Sequence, residues 1–202
     1  MSAMRLLLAF VLGAGAVVLL GAAVSTSPSQ DPEAMKEMMA KAAKFTKPGA
    51  HHKELERFLG KWRSKTSFVM GGQKQPAGEA VNTATWLMDG RWLAIDGIGK
   101  FMGNDSHNFL LLGYDNFKQS FVMTTVSSVD TAMNHAEGDM TPDGKALVLY
   151  GTLDEYLTGE HDKMVKYVYR FVSDDEIVLE IHDLPIGLEH TQVVEVRLQK
   201  ID

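Results

Sequence analysis

Trp62-Arg63-Ser64-Lys65-Thr66-Ser67-Phe68-Val69-Met70 is the stretch on which the fold turns. Trp62, Ser64, Thr66, Phe68 and Met70 fall on one face, and Arg63, Lys65, Ser67 and Val69 on the other. A period of two is the signature of a strand and does not fit a helix. Gly71-Gly72 then supplies a turn, and a loop is expected through Pro76. The same patterning recurs downstream at 79–87, 91–101, 107–114, 120–126, 131–139, 145–152, 163–172, 176–182 and 191–200. Asp89-Gly90 is a strong hairpin signal. Gly103-Asn104-Asp105, Asp115-Asn116, Pro142-Asp143-Gly144 and Ser173-Asp174-Asp175 are further turns. About ten short strands thus follow one another with no helical segment long enough for a parallel crossover. Such a chain removes its edges by closing. The expected fold is mainly β: a closed antiparallel barrel of about ten strands with short N-terminal helices.

Upstream of the strands the period changes. Between 31 and 45, Met35, Met38, Met39, Ala42 and Ala43 recur at helical spacing opposite Lys36, Lys41 and Lys44. This Met stripe is either a packing face or a soft partner-binding face. Thr46-Lys47-Pro48-Gly49 breaks the helix, and a second short one is expected over 50–59 with Leu55, Phe58 and Leu59 inward. Further upstream, Arg5 precedes an apolar run, 6–24, that ends in Gly21-Ala22-Ala23-Val24-Ser25. A basic start, an apolar segment and a small-residue exit describe a secretory signal. We expect a signal over 1–25 cleaved near Ala23 or Ser25, a linker over 26–34 and a single barrel domain over 35–202. That places the protein in the periplasm or outside the cell, with no stable membrane insertion after cleavage. An uncleaved N-terminal anchor is the alternative, because the run reaches the length of a membrane span.

Composition narrows the partners. The 202 residues carry a net charge of −6 with no basic stripe, which disfavours nucleic acid. Cysteine is absent, so disulfides, thiolate metal sites and a thiol nucleophile are ruled out.

Thr46-Lys47-Pro48-Gly49-Ala50-His51-His52-Lys53-Glu54-Leu55, running into Leu59-Gly60-Lys61-Trp62, resembles the opening of the bacterial DUF1579 family of uncharacterised proteins. Trp86-Leu87-Met88-Asp89-Gly90-Arg91-Trp92-Leu93 and Leu111-Leu112-Gly113-Tyr114-Asp115-Asn116 extend the resemblance over about residues 35–200. It implies a lipocalin-like barrel and carries no activity or catalytic residue with it. Within that frame Trp62 reads as a fold residue that plugs one barrel end.

The search for chemistry yields little that outweighs structure. His52 and Glu56 are four apart on one helical face, but two ligands do not make a metal site. Gly97-x-Gly99 with Gly103 has the wrong spacing for a dinucleotide loop, and no nucleophile elbow, His-Glu-x-x-His or phosphate loop is present. No cofactor or metal is called for. What remains is an aromatic set, Trp86, Trp92, Phe109, Phe121, Tyr150, Tyr167 and Tyr169, with Glu180 and His182 as polar neighbours. These nine are the candidate lining of a cavity. Ile177, Leu179 and Ile181 form the better core-facing set of their strand, which turns Glu180 and His182 outward. The expected function is binding of a small apolar or amphipathic molecule in the barrel. One alternative is an enzyme using the His182/Glu180 pair. The other is an envelope interaction or assembly protein using the Met-rich helix.

Overall fold

The computed structural model describes residues 32–155, 158–184 and 191–201. The segment read as a signal lies outside them. The chain divides into two units, Met1–Ala42 and Ala43–Asp202. Helix α1, Pro32–Thr46, crosses that boundary, and none of its residues is buried; Met35, Met38 and Met39 are all exposed. None of the described helices is long and apolar enough to cross a membrane, which says nothing about strands.

The second unit opens with α2, Ala50–Glu54, continued by a 3-10 turn, Leu55–Phe58. Ten strands follow: β1 Gly60–Met70, β2 Gln73–Leu87, β3 Trp92–Phe101, β4 Asn104–Asp115 and β5 Ser120–Ser127. The rest are β6 Met133–Met140, β7 Ala146–Glu155, β8 Glu160–Ser173, β9 Glu176–Asp183 and β10 Gln192–Lys200. Each pairs antiparallel with its neighbour in sequence, and β10 returns to β1 with Trp62 opposite Lys200 and Phe68 opposite Val194. The sheet closes, so no strand is left with an unpaired edge.

β2 starts six residues earlier than the alternation predicts, because Gln73–Gly78 continues the hairpin rather than forming a loop. Pro76 is tolerated there: it sits opposite Ser67 where the register slips, a place where a missing N–H is least costly. At the other end of the barrel α2 and the 3-10 turn form a cap. Trp62 is almost fully buried beneath it, its Nε1–H donating to the Phe58 carbonyl at 2.7 Å. Phe58 in turn meets Tyr169 and Phe171 edge-on at 5.5 and 5.3 Å. Leu55, Leu93, Leu112, Phe121, Leu147 and Ile177 complete a packed core in this capped half. The Arg57 guanidinium lies 3.7 Å above the Phe171 ring and donates to the Gly144 carbonyl, tying the cap to the β6–β7 turn.

Candidate functional site

The packed core ends at a floor. Tyr169, buried on β8, reaches across the interior to Met123 on β5, with its hydroxyl 3.4 Å from the sulfur. Beyond that floor, in the half away from the cap, lies a cavity of about 300 Å³. This is the low end of the range for sites that enclose small organic molecules. It reaches toward the β3–β4 turn and the β5–β6 connection, where Phe101 and Val129 line it.

The wall is divided by chemistry. β1, β2, β4 and β5 contribute Ser64, Thr66, Asn82, Asn108, Thr125 and Ser127. Beside β1 the lining turns aliphatic, with Leu179 and Ile181 from β9 and Val196 and Leu198 from β10. Six inward positions on β1, β2, β4 and β5 are thus small and polar, interspersed with Ala80, Leu110 and Met123. Asn82 donates to the Ser64 hydroxyl at 2.9 Å. Gly97, between Asn82 and Asn108 in the sheet, makes room: a Cβ there would lie 2.4 Å from Asn82 Oδ1 and 2.6 Å from Asn108 Oδ1. The absence of one side chain therefore lets two amides enter the same layer of the interior. Gly97-x-Gly99 is a packing device of a curved sheet.

Tyr167 is the other polar group of note. Its side chain lines the cavity, and its hydroxyl is buried with no hydrogen-bond partner among the described residues. Burial pushes its pKa up to about 12, so the phenol is neutral and available as a donor at physiological pH. A buried hydroxyl left unpaired costs roughly 1–3 kcal/mol. A ligand atom that accepts from it would recover that energy.

The predicted set separates when placed on the barrel. Tyr167 and Tyr169 line the cavity. Phe121 is buried in the capped core beside Tyr114, at 5.0 Å. Trp86 packs against the core and borders a groove with Gly49, His52 and Glu56 on the capped end. Trp92 lies on Gly113, where a Cβ would meet its ring at 2.4 Å, and borders a second groove with Arg91 and Tyr114. Phe109 and Tyr150 occupy outward positions of their strands and are exposed. Glu180 and His182 also face outward, in alternation with Ile177, Leu179 and Ile181. Glu180 bridges Arg170 at 3.1 Å and His182 at 3.2 Å, and His182 reaches Thr191 at 3.0 Å. Burial alone would raise the Glu180 pKa, but the hydrogen bonds from Arg170 and His182 outweigh it and hold the carboxyl below its usual range. The pair is an ion network on the outer wall and does not enter the cavity.

Three residues central to the cavity, Asn82, Asn108 and Thr125, are absent from the predicted set. Asn82 shares a strand face with Ala80, Ala84 and Trp86, and Asn108 with Leu110 and Leu112. A polar residue on an apolar face was the available signal. Among the described residues no group of three His, Asp or Glu side chains is placed to hold a metal ion.

His52 is the notable group at the capped end. It is buried, and its Nδ1 accepts the Gly49 N–H at 3.1 Å, which leaves the proton on Nε2. Burial, together with the charges of His51 and Arg91, lowers its pKa, so it is held neutral. His52 closes the turn into α2.

A closed ten-stranded antiparallel barrel with a capped end and an interior cavity defines the class of protein. Its sequence matches the model for the DUF1579 family, "Protein of unknown function (DUF1579)", over residues 47–200. The chain belongs to that family. No curated protein sequence matches it. Among solved structures, Rv2717c from M. tuberculosis is similar, with a TM-score of 0.52 and 12% identity, covering 77% of this chain and 100% of that one. The S-type phycobiliprotein lyase CPES from Guillardia theta aligns with a TM-score of 0.48 and 14% identity, over 76% of this chain and 94% of that one. At these identities the likeness to Rv2717c speaks for the fold alone.

Proposed function

We propose that the protein binds a small amphipathic molecule inside its barrel. One observation carries the reading: the cavity of about 300 Å³ is lined by Tyr167, whose hydroxyl is buried and has no hydrogen-bond partner among the described residues. A barrel interior that served only as core would be filled with apolar side chains at crystal-like density. Here hydroxyl and amide side chains from four strands line the interior together with an aliphatic patch from β9 and β10. A purely apolar occupant would leave that polar lining unpaired, so the occupant has both characters. We place the protein outside the cytoplasm, supported by Arg5, the apolar run 6–24 and the small residues through Ser25.

Native mass spectrometry of protein purified from its own cells tests the binding reading. A retained small mass is expected, and it should be lost in Thr125→Trp, whose indole fills the cavity. If the natural protein carries no added mass and takes up no small probe, the reading is wrong. N-terminal sequencing tests export: a mature start after Ala23 or Ser25 supports it, and a start at Met1 or Ser2 defeats it.

A second reading rests on the exposure of Met35, Met38 and Met39 along α1, a soft face of the kind used for partner capture. Deletion of 32–42 should then abolish partner capture. If capture is unchanged, this reading fails.

A further inference from the structure

The chemistry of the wall restricts the occupant further. We infer that the cavity selects an uncharged bicyclic ring carrying an adjacent donor and acceptor, of the cyclic amide (lactam) class, over a hydrocarbon or a carboxylate of the same size. This deepens the reading above and rests on it.

Charge comes first. Among the described residues, Glu79 and Lys100 are the charged ones lining the cavity; both stand at exposed positions, and Lys100 is held by Asp105 at 2.8 Å. Deeper in, the wall holds neutral groups, so a carboxylate or ammonium would be desolvated without a counter-ion. That is among the most costly arrangements in a protein interior.

Hydrogen bonding comes next. The Asn82 amide already serves Ser64. The Asn108 amide reaches the same layer over Gly97 and takes no hydrogen bond among the described residues. It therefore offers a planar edge with one acceptor and one donor side by side. A lactam matches that edge reciprocally, its N–H donating to Asn108 Oδ1 and its carbonyl accepting from Nδ2. Tyr167, on β8 across the barrel from β4, offers its hydroxyl to the second lone pair of the same carbonyl. The ring faces lie against Leu179, Ile181, Val196 and Leu198. A hydrocarbon would fill the same space but leave Asn108 and Tyr167 desolvated and unpaired, which is the condition under which polar sites discriminate strongly. Size agrees: 300 Å³ is the volume of about ten liquid waters, matching one or two fused rings.

Three bicyclic probes of similar size separate these ideas: 2-quinolone, naphthalene and 2-naphthoate. Each is titrated into the purified protein, with the methyl resonances of Met123 and Leu179 as the readout. 2-Quinolone should bind at least about tenfold more tightly than either of the others. Asn108→Leu should reduce 2-quinolone to the level of naphthalene. Tyr167→Phe should weaken it about five- to tenfold while leaving naphthalene unchanged. If Asn108→Leu does not fold, Asn108→Ser, which removes the amide edge but keeps a polar group, should show the same loss. If naphthalene or 2-naphthoate binds as tightly as 2-quinolone, the lactam selection is refuted and the general binding reading stands. If no probe shifts those methyls, both fall together.

Discussion

Gly97 and Gly99 lie two residues apart on β3, both facing the interior, yet alanine at each should have very different consequences. At Gly97 a Cβ would sit 2.4 Å from Asn82 Oδ1 and 2.6 and 2.7 Å from the Asn108 amide atoms. Ordinary contact distances require each amide to retreat by about 1 Å. Both are side-chain ends with cavity space beside them. Asn82 must loosen its 2.9 Å bond to Ser64, at about 1–3 kcal/mol. Alanine returns about 0.4–1 kcal/mol by restricting the unfolded chain, so Gly97→Ala should cost about 1–2 kcal/mol. At Gly99 the Cβ would meet the Glu79 carbonyl oxygen at 2.1 Å and Ala80 Cα at 2.5 Å, both backbone of the paired strand. Relief there means separating β2 from β3, and the cost should exceed about 4 kcal/mol. Gly151 is the control, with the His135 carbonyl at 2.0 Å, and should behave like Gly99. Urea unfolding with a shared m-value gives the Gly97→Ala difference directly, and soluble yield reports the other two. For a domain of this size Gly97→Ala should lower the melting temperature by roughly 5 °C, while Gly99→Ala and Gly151→Ala should fail to accumulate as folded protein. Equal stabilities for Gly97→Ala and Gly99→Ala would refute the argument from close approach.

Three further outcomes are expected. His52 has a lowered pKa in the fold, so the unfolded chain binds the extra proton first; stability should be constant above about pH 6.5 and fall as pH drops below it. His52→Asn, which can still accept the Gly49 N–H, should flatten that dependence in thermal melts across pH 5–8, and an unchanged slope would exonerate the imidazole. Tyr167 is raised to about 12, so its contribution is complete below pH 10 and is lost above it as the unfolded phenol ionises. Tyr167→Phe should reduce alkaline unfolding in that window and, by removing an unpaired hydroxyl, leave neutral-pH stability unchanged or slightly higher. Trp62→Phe removes the hydrogen bond to Phe58 and part of the plug, and Trp62→Ala should cost about 3–5 kcal/mol by urea unfolding.

The architecture was legible because period-two patterning and Gly- or Asp-rich turns are local signals, and a meander needs nothing else. Register beyond the turns was less so. Pro76 ended the predicted loop, although in the long β1–β2 hairpin it lies at a bulge. The site was harder to read for a different reason. Large aromatic residues draw attention, but size suits them to filling space: Phe121 went to the core, and Trp86 and Trp92 to grooves at the capped end. A cavity is made where side chains are small. Ser64, Gly97, Asn108 and Thr125 create it by what they lack, and lack of bulk at one position acquires meaning only once the facing strands are known. Tyr167 and Tyr169 differ from the other predicted aromatics in lying at inward positions of β8 that face the cavity.

Closure between β1 and β10 also bears on how the barrel forms. Every other pairing joins segments adjacent in the chain, so hairpins can zip in succession with little loop entropy to overcome. The last seam joins the two far ends of the domain and must await a nearly complete sheet. Loss of the final strand would therefore leave nine strands assembled, with two bare backbone edges facing water. Such a truncated chain is primed to add copies of itself side by side.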